Sequence, residues 1–322
     1  MTITVYAPAT IANLSVGFDL LGAAIAPIDG SSLGDRLSVS RTTSGINLAC
    51  SGPWSGKLPV DPTENIVYQC AQHFNECLSE QSRSGLDISL EKNLPVGSGL
   101  GSSASSVVAA FYALNELFAH PFSADRLLLM MGEFEGRVSG SVHYDNVAPC
   151  FLGGLQLLVQ APDCFCAKIP HFNKWYWVVA YPGISLSTAK MRALLPQEYK
   201  RSDMISYGRF LSGFIHASHE NNRQLAAAML KDIVAEPYRS PHIPNYERAK
   251  QSLYELGALA SGISGSGPSM FAVTDDLVIA QRSALWLKNH YLSEPGGFVH
   301  VCQISDSGAR VIKNQDIAHE TL

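Results

Sequence analysis

The chain has 322 residues, of which 46% are hydrophobic and 16% charged, which is typical of a folded globular protein and argues against a disordered one. Its net charge of −5 gives no electrostatic reason to expect nucleic acid or an anionic membrane surface as a partner, and no apolar run reaches the roughly 18 residues that a membrane span needs. The N-terminal segment lacks the features of a secretory signal, and the seven cysteines form no CxxC pair, so we expect a cytoplasmic protein with reduced thiols.

The first part of the chain predicts strands followed by helices. Residues 2–6, 37–41 and 86–90 alternate apolar and polar side chains, as half-buried strands do. A glycine-rich loop follows, and apolar residues then recur at helical spacing over residues 107–118. Ser123 is a plausible N-cap of the next helix, which the pattern extends to about Glu135.

The second part of the chain mixes both types of element. The pattern predicts strands over residues 175–181, 270–274 and 298–304, and helices over 187–195, 204–235, 244–256 and 281–290. Since strands and helices do not alternate strictly, the order favours an α+β protein with antiparallel sheet over a doubly wound parallel sheet. The pattern breaks near residues 159–170, and we expect two domains, residues 1–165 and 166–322.

The glycine-rich loop is the strongest local signal for function. Its three glycines allow the backbone to approach a ligand and to adopt positive φ angles. Because a helix follows directly, unpaired N–H groups and the positive end of a helix dipole would face the ligand, which suits phosphate. The loop consists of Pro95, Val96, Gly97, Ser98, Gly99, Leu100, Gly101, Ser102, Ser103, Ala104 and Ser105.

Three chemistries compete for this loop. The lysine of a P-loop is absent. The dinucleotide pattern GxGxxA is present at residues 99–104, but the strand that should precede it directly and the later acidic residue are missing. The third is a lysine-free loop that holds a nucleoside triphosphate with backbone amides and serine hydroxyls, while Mg²⁺ carries the charge.

Three motifs in order give the chain a resemblance to the GHMP kinase superfamily. The first is the turn APATIANLSVGFD at residues 7–19, the second is the loop at 95–104, and the third is the glycine-serine loop at 262–268. The resemblance implies an α+β, two-domain GHMP kinase fold. An N-terminal domain of mixed sheet and helices would carry the ATP loop, and a ferredoxin-like α+β domain would follow.

Within that superfamily the chain resembles the homoserine kinases, the enterobacterial type in particular. The stretches that carry this resemblance are residues 13–19, 135–149, 187–192 and 236–239. It implies an ATP-dependent transfer of phosphate to the side-chain hydroxyl of L-homoserine, a step of threonine biosynthesis. It also implies a homodimer that threonine inhibits, with no nucleic acid and no membrane as partner.

The resemblance also assigns ligand-binding residues. ATP would lie on the loop at 95–105 and against Gly265. An amino acid carboxylate suits the forked guanidinium of arginine, and Arg192 and Arg239 match the carboxylate-binding positions. Its ammonium needs acceptors, and Asp19 falls where the family uses an aspartate on the substrate. The remaining positions expected to bind substrate are Asn13, His143 and Thr188.

Magnesium requires hard oxygen ligands. Glu135 shares a predicted helix face with apolar side chains, where a carboxylate needs a partner. The superfamily places a Mg²⁺-binding glutamate here together with a serine of the loop, and we assign these positions to Glu135 and Ser103. Ser102 is the competing serine and Glu133 the competing glutamate.

Asn146 occupies the position where several related kinases carry an aspartate that acts as a base. An amide accepts no proton at neutral pH, although it can orient a hydroxyl. We therefore expect catalysis by positioning and charge neutralisation without an obligatory side-chain base, which a largely dissociative phosphoryl transfer tolerates. Asp145 is adjacent, but in an extended segment it would point to the opposite side.

Three alternative functions remain open at this point. The chain could phosphorylate another small alcohol, or it could be a catalytically silent amino acid sensor on the same fold. The third alternative is a nicotinamide-dependent dehydrogenase, which would bind NAD and need no magnesium.

Overall fold

The computed structural model describes residues 1–312, without the side chains of Val138 and Ser139. The strands are β1 (Thr2–Pro8), β2 (Thr10–Ala12), β3 (Leu21–Pro27), β4 (Gly34–Thr42), β5 (Ile46–Ser51), β6 (Gly85–Glu91), β7 (Leu155–Ala161), β8 (Cys164–Ile169), β9 (Tyr176–Tyr181), β10 (Ala260–Ile263), β11 (Met270–Thr274), β12 (Phe298–Ile304) and β13 (Arg310–Val311). The helices are α1 (Ile66–Glu76), α2 (Ser102–Leu117), α3 (Ala124–Ser139), α4 (Val147–Leu152), α5 (Thr188–Ala193), α6 (Arg201–His219), α7 (Arg223–Met229), α8 (Glu236–Arg239), α9 (Tyr246–Glu255) and α10 (Leu277–His290).

The first sheet has five strands in the order β13-β1-β4-β6-β5, and its pairs are antiparallel except β5 with β6. Its inward side chains form rows across the strands, such as Val5 opposite Leu37 opposite Leu90. Helix α2 packs on this face with α1 and α3 around it, and one hydrophobic core joins them. Because alternate residues of β4 and β6 are buried, these strands show the alternating pattern seen in the sequence.

The second sheet has the order β10-β11-β9-β12-β3-β7-β8, with β2 paired to β3. Its central strands β9 and β11 are buried on both faces. Trp177 and Val179 belong to the core under α6 and α7, whereas Val178 and Ala180 belong to the core under α9 and α10. Burial on both faces explains why the sequence of β9 is a continuous apolar run.

The α+β class is confirmed, and so is the ferredoxin-like arrangement expected for the second half of the chain. In the second half of the chain, β12, β9, β11 and β10 lie side by side and antiparallel, which is the strand order 4-1-3-2 of a ferredoxin-like domain. Strand β3 from the first half extends this sheet through its pairing with β12. The predicted division after residue 165 falls within β8 and stays a prediction, and residues 313–322 of the predicted second domain lie outside the described part.

One helix prediction was wrong. The segment expected as a single helix over residues 204–235 contains α6 and α7, separated by a turn. Asn221 has a φ of 51°, and the side chain of Asn222 accepts a hydrogen bond from the N–H of Leu225 and so caps α7. The segment then leads into α8, a single turn whose last residue, Arg239, is buried.

Candidate active site

A cavity of about 460 Å³ lies where the glycine-rich loop, α3, α5 and the loop at residues 262–268 meet. All six predicted substrate-binding residues line it, together with the predicted metal-binding pair and Asn146. The predicted residues on its wall are Asn13, Asp19, Ser103, Glu135, His143, Asn146, Thr188, Arg192, Arg239 and Gly265. The fold therefore brings together positions from six separate stretches of the sequence.

The glycine-rich loop needs its glycines for both conformation and space. Gly97, Gly99 and Gly101 have φ angles of 70°, 82° and 67°, which favour glycine strongly. A Cβ at Gly99 would lie 2.4 Å from the carbonyl oxygen of Ser264, and one at Gly101 would lie 2.1 Å from Oγ1 of Thr10. Gly101 occupies the N-cap position of α2 and makes no side-chain cap bond, so the first-turn N–H groups of α2 are available to an anion.

The loop residues divide between the cavity wall and the core. Among the predicted residues 95–105, the cavity wall includes Val96, Gly97, Ser98, Gly99, Gly101, Ser102 and Ser103. The other four do not line it: Leu100 and Ala104 belong to the hydrophobic cores, Pro95 is buried, and the Ser105 hydroxyl donates to the carbonyl of Ala7 at 2.8 Å. These four residues hold the loop to the body of the protein rather than facing a ligand.

The two glycine loops touch each other. The hydroxyl of Ser264 donates to the carbonyl of Gly99 at 2.7 Å, and the N–H of Ser269 donates to the carbonyl of Ser98 at 3.0 Å. The carbonyl of Gly265 accepts from the side-chain amide of Asn13 at 3.2 Å. All three motifs of the sequence thus meet at one end of the cavity.

Glu135 and Ser103 form a direct pair. The Ser103 hydroxyl donates to Oε1 of Glu135 at 2.7 Å, and Glu135 is 8% exposed. Burial raises the pKa of this carboxyl to about 7, although the Ser103 hydrogen bond opposes the shift. The competing glutamate, Glu133, is on the exposed side of α3 with Arg137, and the hydroxyl of Ser102 is directed to the carbonyl of Leu94 at 3.0 Å.

The opposite end of the cavity carries paired charges. Nη2 of Arg192 lies 2.7 and 2.9 Å from the two carboxylate oxygens of Asp19. Nδ1 of His143 lies 3.3 Å from the same guanidinium nitrogen, and Nε2 lies 2.6 Å from the Ser141 hydroxyl. Burial lowers the pKa of His143, and the two arginines also lower it while Asp19 opposes them, so a neutral imidazole that accepts at Nδ1 fits this arrangement.

A second arginine lies beside this pair and is more deeply buried. Arg239 is 3% exposed, donates to the carbonyl of Gly265 at 2.9 Å, and burial lowers its pKa. The guanidinium carbons of Arg192 and Arg239 each lie 5.3 Å from the ring centre of Phe18. The aromatic ring therefore supports both cations at once, which stabilises two like charges near each other.

Asn146 lies between the two ends, at the N-terminus of α4. Its Oδ1 accepts a hydrogen bond from Thr10 Oγ1 at 2.7 Å, which leaves the Nδ2 group to donate toward the cavity. The expectation that Asp145 points away was wrong, because Asp145 also lines the cavity. The backbone at Asn146 already has helical angles (φ −97°, ψ −41°), so the segment is not extended there. Burial raises the pKa of Asp145 to about 7.

Comparison with known proteins agrees with this geometry. The sequence matches the family models for the GHMP kinases N terminal domain over residues 65–154 and the GHMP kinases C terminal domain over residues 211–288. The fold is similar to a crystal structure of homoserine kinase from Cytophaga hutchinsonii, with 33% identity, a TM-score of 0.88 and 97% of each chain covered. This chain belongs to the GHMP kinase family.

Two further structures show the fold of this GHMP kinase at lower identity. A putative homoserine kinase from Listeria monocytogenes is 22% identical, with a TM-score of 0.71 over 97% of this chain and 100% of that one. A mevalonate kinase from L. major in complex with R-mevalonate is 19% identical, with a TM-score of 0.68 over 94% and 96%. Family membership makes the chain an ATP-dependent kinase. It therefore argues against the nicotinamide-dependent dehydrogenase that the sequence alone left open.

Sequence reasoning missed several residues of this GHMP kinase. Lys92 lies three positions before Pro95, is 1% exposed, and also lines the cavity. Its partner is the buried carboxylate of Asp35. The cavity also continues onto Asn65 and Ile66 at the start of α1. An isolated lysine and aspartate separated by 57 positions carry no local signal, so only the fold could reveal this pair.

Within residues 1–312, no helix is both long and apolar enough to cross a membrane.

Proposed function

We propose that this kinase transfers the γ-phosphate of ATP to the side-chain hydroxyl of L-homoserine and forms O-phospho-L-homoserine. The observation that carries the proposal is the charge arrangement at the end of the cavity formed by Asp19, Arg192 and Arg239, which we call the acceptor end. Asp19 offers a carboxylate to an α-ammonium, and Arg192 and Arg239 offer guanidinium groups to an α-carboxylate, all within one cavity that also reaches the glycine loop. The 33% identical relative from Cytophaga hutchinsonii is described as a homoserine kinase, which supports the same substrate.

An amino acid suits the acceptor end because its ammonium and carboxylate are complementary to Asp19 and Arg192, which are paired with each other in the free protein. A zwitterion can replace both partners with its own ammonium and carboxylate, so that neither of these partly buried charges is left without a counterpart. A neutral alcohol offers neither charge, and a simple carboxylic acid offers only one and would leave Asp19 without a counterpart, which gives selectivity for amino acids.

Mg²⁺ fits the pair formed by Glu135 and Ser103. Both offer hard oxygen atoms, and the raised pKa of Glu135 shows that its charge is poorly solvated in the free protein, a cost that a cation would offset. No cluster of three histidine, cysteine, aspartate or glutamate residues within residues 1–312 could hold a metal ion. This matches Mg²⁺, which commonly uses one or two carboxylates together with phosphate and water. When bound, it would supply positive charge for the phosphate oxygens.

The remaining chemistry falls to groups of the protein itself. The loop amides and the N-terminus of α2 would hold the phosphates, and the Nδ2 group of Asn146 would donate to the oxygen of the acceptor hydroxyl and fix its direction. Since an amide donor cannot remove a proton, positioning and charge neutralisation would carry the reaction. The proton would leave with the phosphorylated product or to solvent.

A coupled assay of ADP release tests the proposal. With Mg²⁺ and ATP, we expect rapid release with L-homoserine and slow release with mevalonate, galactose or no acceptor. Turnover of another alcohol without turnover of homoserine would replace the substrate and keep the kinase. Tight binding of homoserine or threonine without ADP release would favour the amino acid sensor instead.

A cytoplasmic location, which the unpaired cysteines favour, is a further part of this proposal. A homodimer and inhibition by threonine are also parts of it, and these two rest on the resemblance to homoserine kinases alone. The molar mass in solution, measured by light scattering, tests the dimer. The coupled assay, repeated with added threonine, tests the inhibition.

A further inference from the structure

A buried carboxylate lies directly beneath the glycine loop. Asp35, near the start of β4, is 0% exposed, and Lys92, at the end of β6, is 1% exposed. The Lys92 ammonium contacts Oδ2 of Asp35 and also donates to the carbonyl of Ser102 at 2.7 Å and to the hydroxyl of Ser106 at 2.9 Å. All three hydrogens of the Lys92 ammonium therefore have an acceptor within the protein.

Asp35 is equally well satisfied, and its partners lie on both sides of the loop. Oδ1 accepts the backbone N–H groups of Asn93 at 2.9 Å and Leu94 at 3.0 Å, where the chain enters the loop. Oδ2 accepts the hydroxyl of Ser106 at 2.7 Å, near the start of α2 where the chain leaves it. One carboxylate thus joins the entrance and the exit of the loop.

We propose that Asp35 is a positioning residue for the nucleotide: it fixes both ends of the phosphate loop and the start of α2. This inference rests on the proposed function insofar as the loop binds the phosphates of ATP. Charge-assisted hydrogen bonds to a buried carboxylate are stronger than neutral ones. They hold the loop amides in place before the nucleotide arrives, so the phosphates meet donors that need no rearrangement.

The geometry separates this role from that of the acceptor end. Asp35 is bonded to groups directly before and directly after the loop, whereas Asp19, Arg192 and Arg239 are held by other elements. A disturbance at Asp35 should therefore reach the nucleotide first. Loss of a residue that only stabilised the fold would lower the folded fraction and so weaken the apparent binding of both ligands equally.

The test is D35N, which keeps the shape and removes the charge. We expect the Kd of the ATP analogue AMP-PNP with Mg²⁺, measured by calorimetry, to rise about tenfold or more, while the Kd of L-homoserine stays within about threefold. Amide hydrogen exchange over residues 93–101 should become faster. D87N, on the exposed side of β6, is the matched control and should change neither Kd.

Two results would overturn the proposal: an unchanged Kd for AMP-PNP in folded D35N, or an equal loss for both ligands. If D35N does not fold because Lys92 loses its counter-charge, the S106A variant tests the proposal instead. It removes one hydrogen bond to Asp35 without changing any charge. We expect S106A to raise the AMP-PNP Kd about threefold, and no change would overturn the proposal. If the wild type does not phosphorylate homoserine, the proposed function fails, and the AMP-PNP measurement still tests Asp35.

Discussion

The two ends of the cavity are formed by different kinds of chemical groups. The phosphate end consists of backbone amides, glycines with positive φ and a helix N-terminus, within a short stretch of the chain around residues 93–106. The acceptor end consists of charged side chains that lie far apart in the sequence, such as Asp19 and Arg192, and that are paired with each other in the free protein. One end is thus specified by conformation, and the other by charge.

This difference leads to different sensitivities. A backbone site tolerates the loss of a side chain, but an added Cβ disturbs it. A charge site tolerates small changes of shape, but the removal of one ion leaves its partly buried partner without a counter-charge. Substitutions of similar size at the two ends should therefore affect different ligands, and variants at each end test this separation.

The largest effect is expected for Gly99→Ala. The new Cβ would lie 2.4 Å from the carbonyl oxygen of Ser264 and 2.9 Å from the backbone N of Gly267, so the two loops must move apart. We expect kcat/KM for ATP to fall about 1,000-fold, since misplacement by an ångström can cost about 100-fold by itself. Steady-state kinetics with ATP varied at saturating homoserine measures this.

Gly30→Ala is the control for the strain of a positive φ. Gly30 has a φ of 80°, close to the 82° of Gly99, but a Cβ there would meet nothing within 4 Å. It should show ordinary kinetics and at most a small loss of stability. If both variants lose activity equally, backbone strain rather than the close contact between the two loops is responsible, and the packing of the loops does not specify the phosphate end.

At the acceptor end, Arg192→Met should raise the KM for homoserine about 100-fold. The substrate carboxylate loses a charged donor, and Asp19 is left without its partner and repels the carboxylate. The KM for ATP should stay within about threefold, since the two sites are held by separate elements. Lys190→Met, an exposed cation on the same helix α5, is the control and should leave both KM values unchanged. A similar rise in both KM values for R192M would contradict the separation of the two ends.

Between the ends, Asn146→Ala should lower kcat at saturating substrates about 10- to 100-fold, because the acceptor hydroxyl loses its orientation. Asn146→Asp should not restore the rate, since an added negative charge repels the phosphates. Base catalysis makes the opposite prediction: aspartate would restore activity, and the rate would show an acidic limb at the pKa of the new carboxyl. The pH–rate profiles of both variants distinguish the two mechanisms.

The same contrast decides what the sequence could predict. The phosphate loop was predicted from its own residues, because Gly97, Gly99 and Gly101 and the following helix pattern are local signals. The acceptor end was not, since an isolated arginine such as Arg192 is ordinarily a solvated surface charge, and only the resemblance to homoserine kinases singled it out. The pair formed by Asp35 and Lys92 was missed entirely, because 57 positions separate two residues that only the fold brings together.

Secondary structure follows a similar rule. Strands with one buried face or a strongly apolar run, such as β11 and β12, were predicted with the bounds that the structure shows. The edge strand β5 was missed because most of its residues are exposed and show no apolar alternation. The break between α6 and α7 was missed because two asparagines in a polar stretch interrupt the helical pattern only weakly.

The smallest expected effect concerns pH and the buried carboxyl of Asp145. Its pKa is about 7 in the folded protein and about 3.8 in an unfolded chain, because burial disfavours the charged form. Below the lower value both states are protonated and the group costs nothing. Between about 3.8 and 7 the unfolded chain holds fewer protons than the folded one, so the free energy of unfolding falls as the pH rises, and it levels off above 7.

Asp145→Asn removes this loss and should therefore gain stability over the wild type as the pH rises. In metal-free buffer without ligands, we expect the Tm difference in favour of the variant to grow by about 2–5 °C between about pH 4.5 and pH 8. D87N, which changes an exposed carboxylate, should show a constant difference. A Tm difference for D145N that stays constant or shrinks with rising pH would mean that Asp145 is already ionised in the free cavity, and that the charges of Arg192 and Arg239 extend from the acceptor end to the centre of the site.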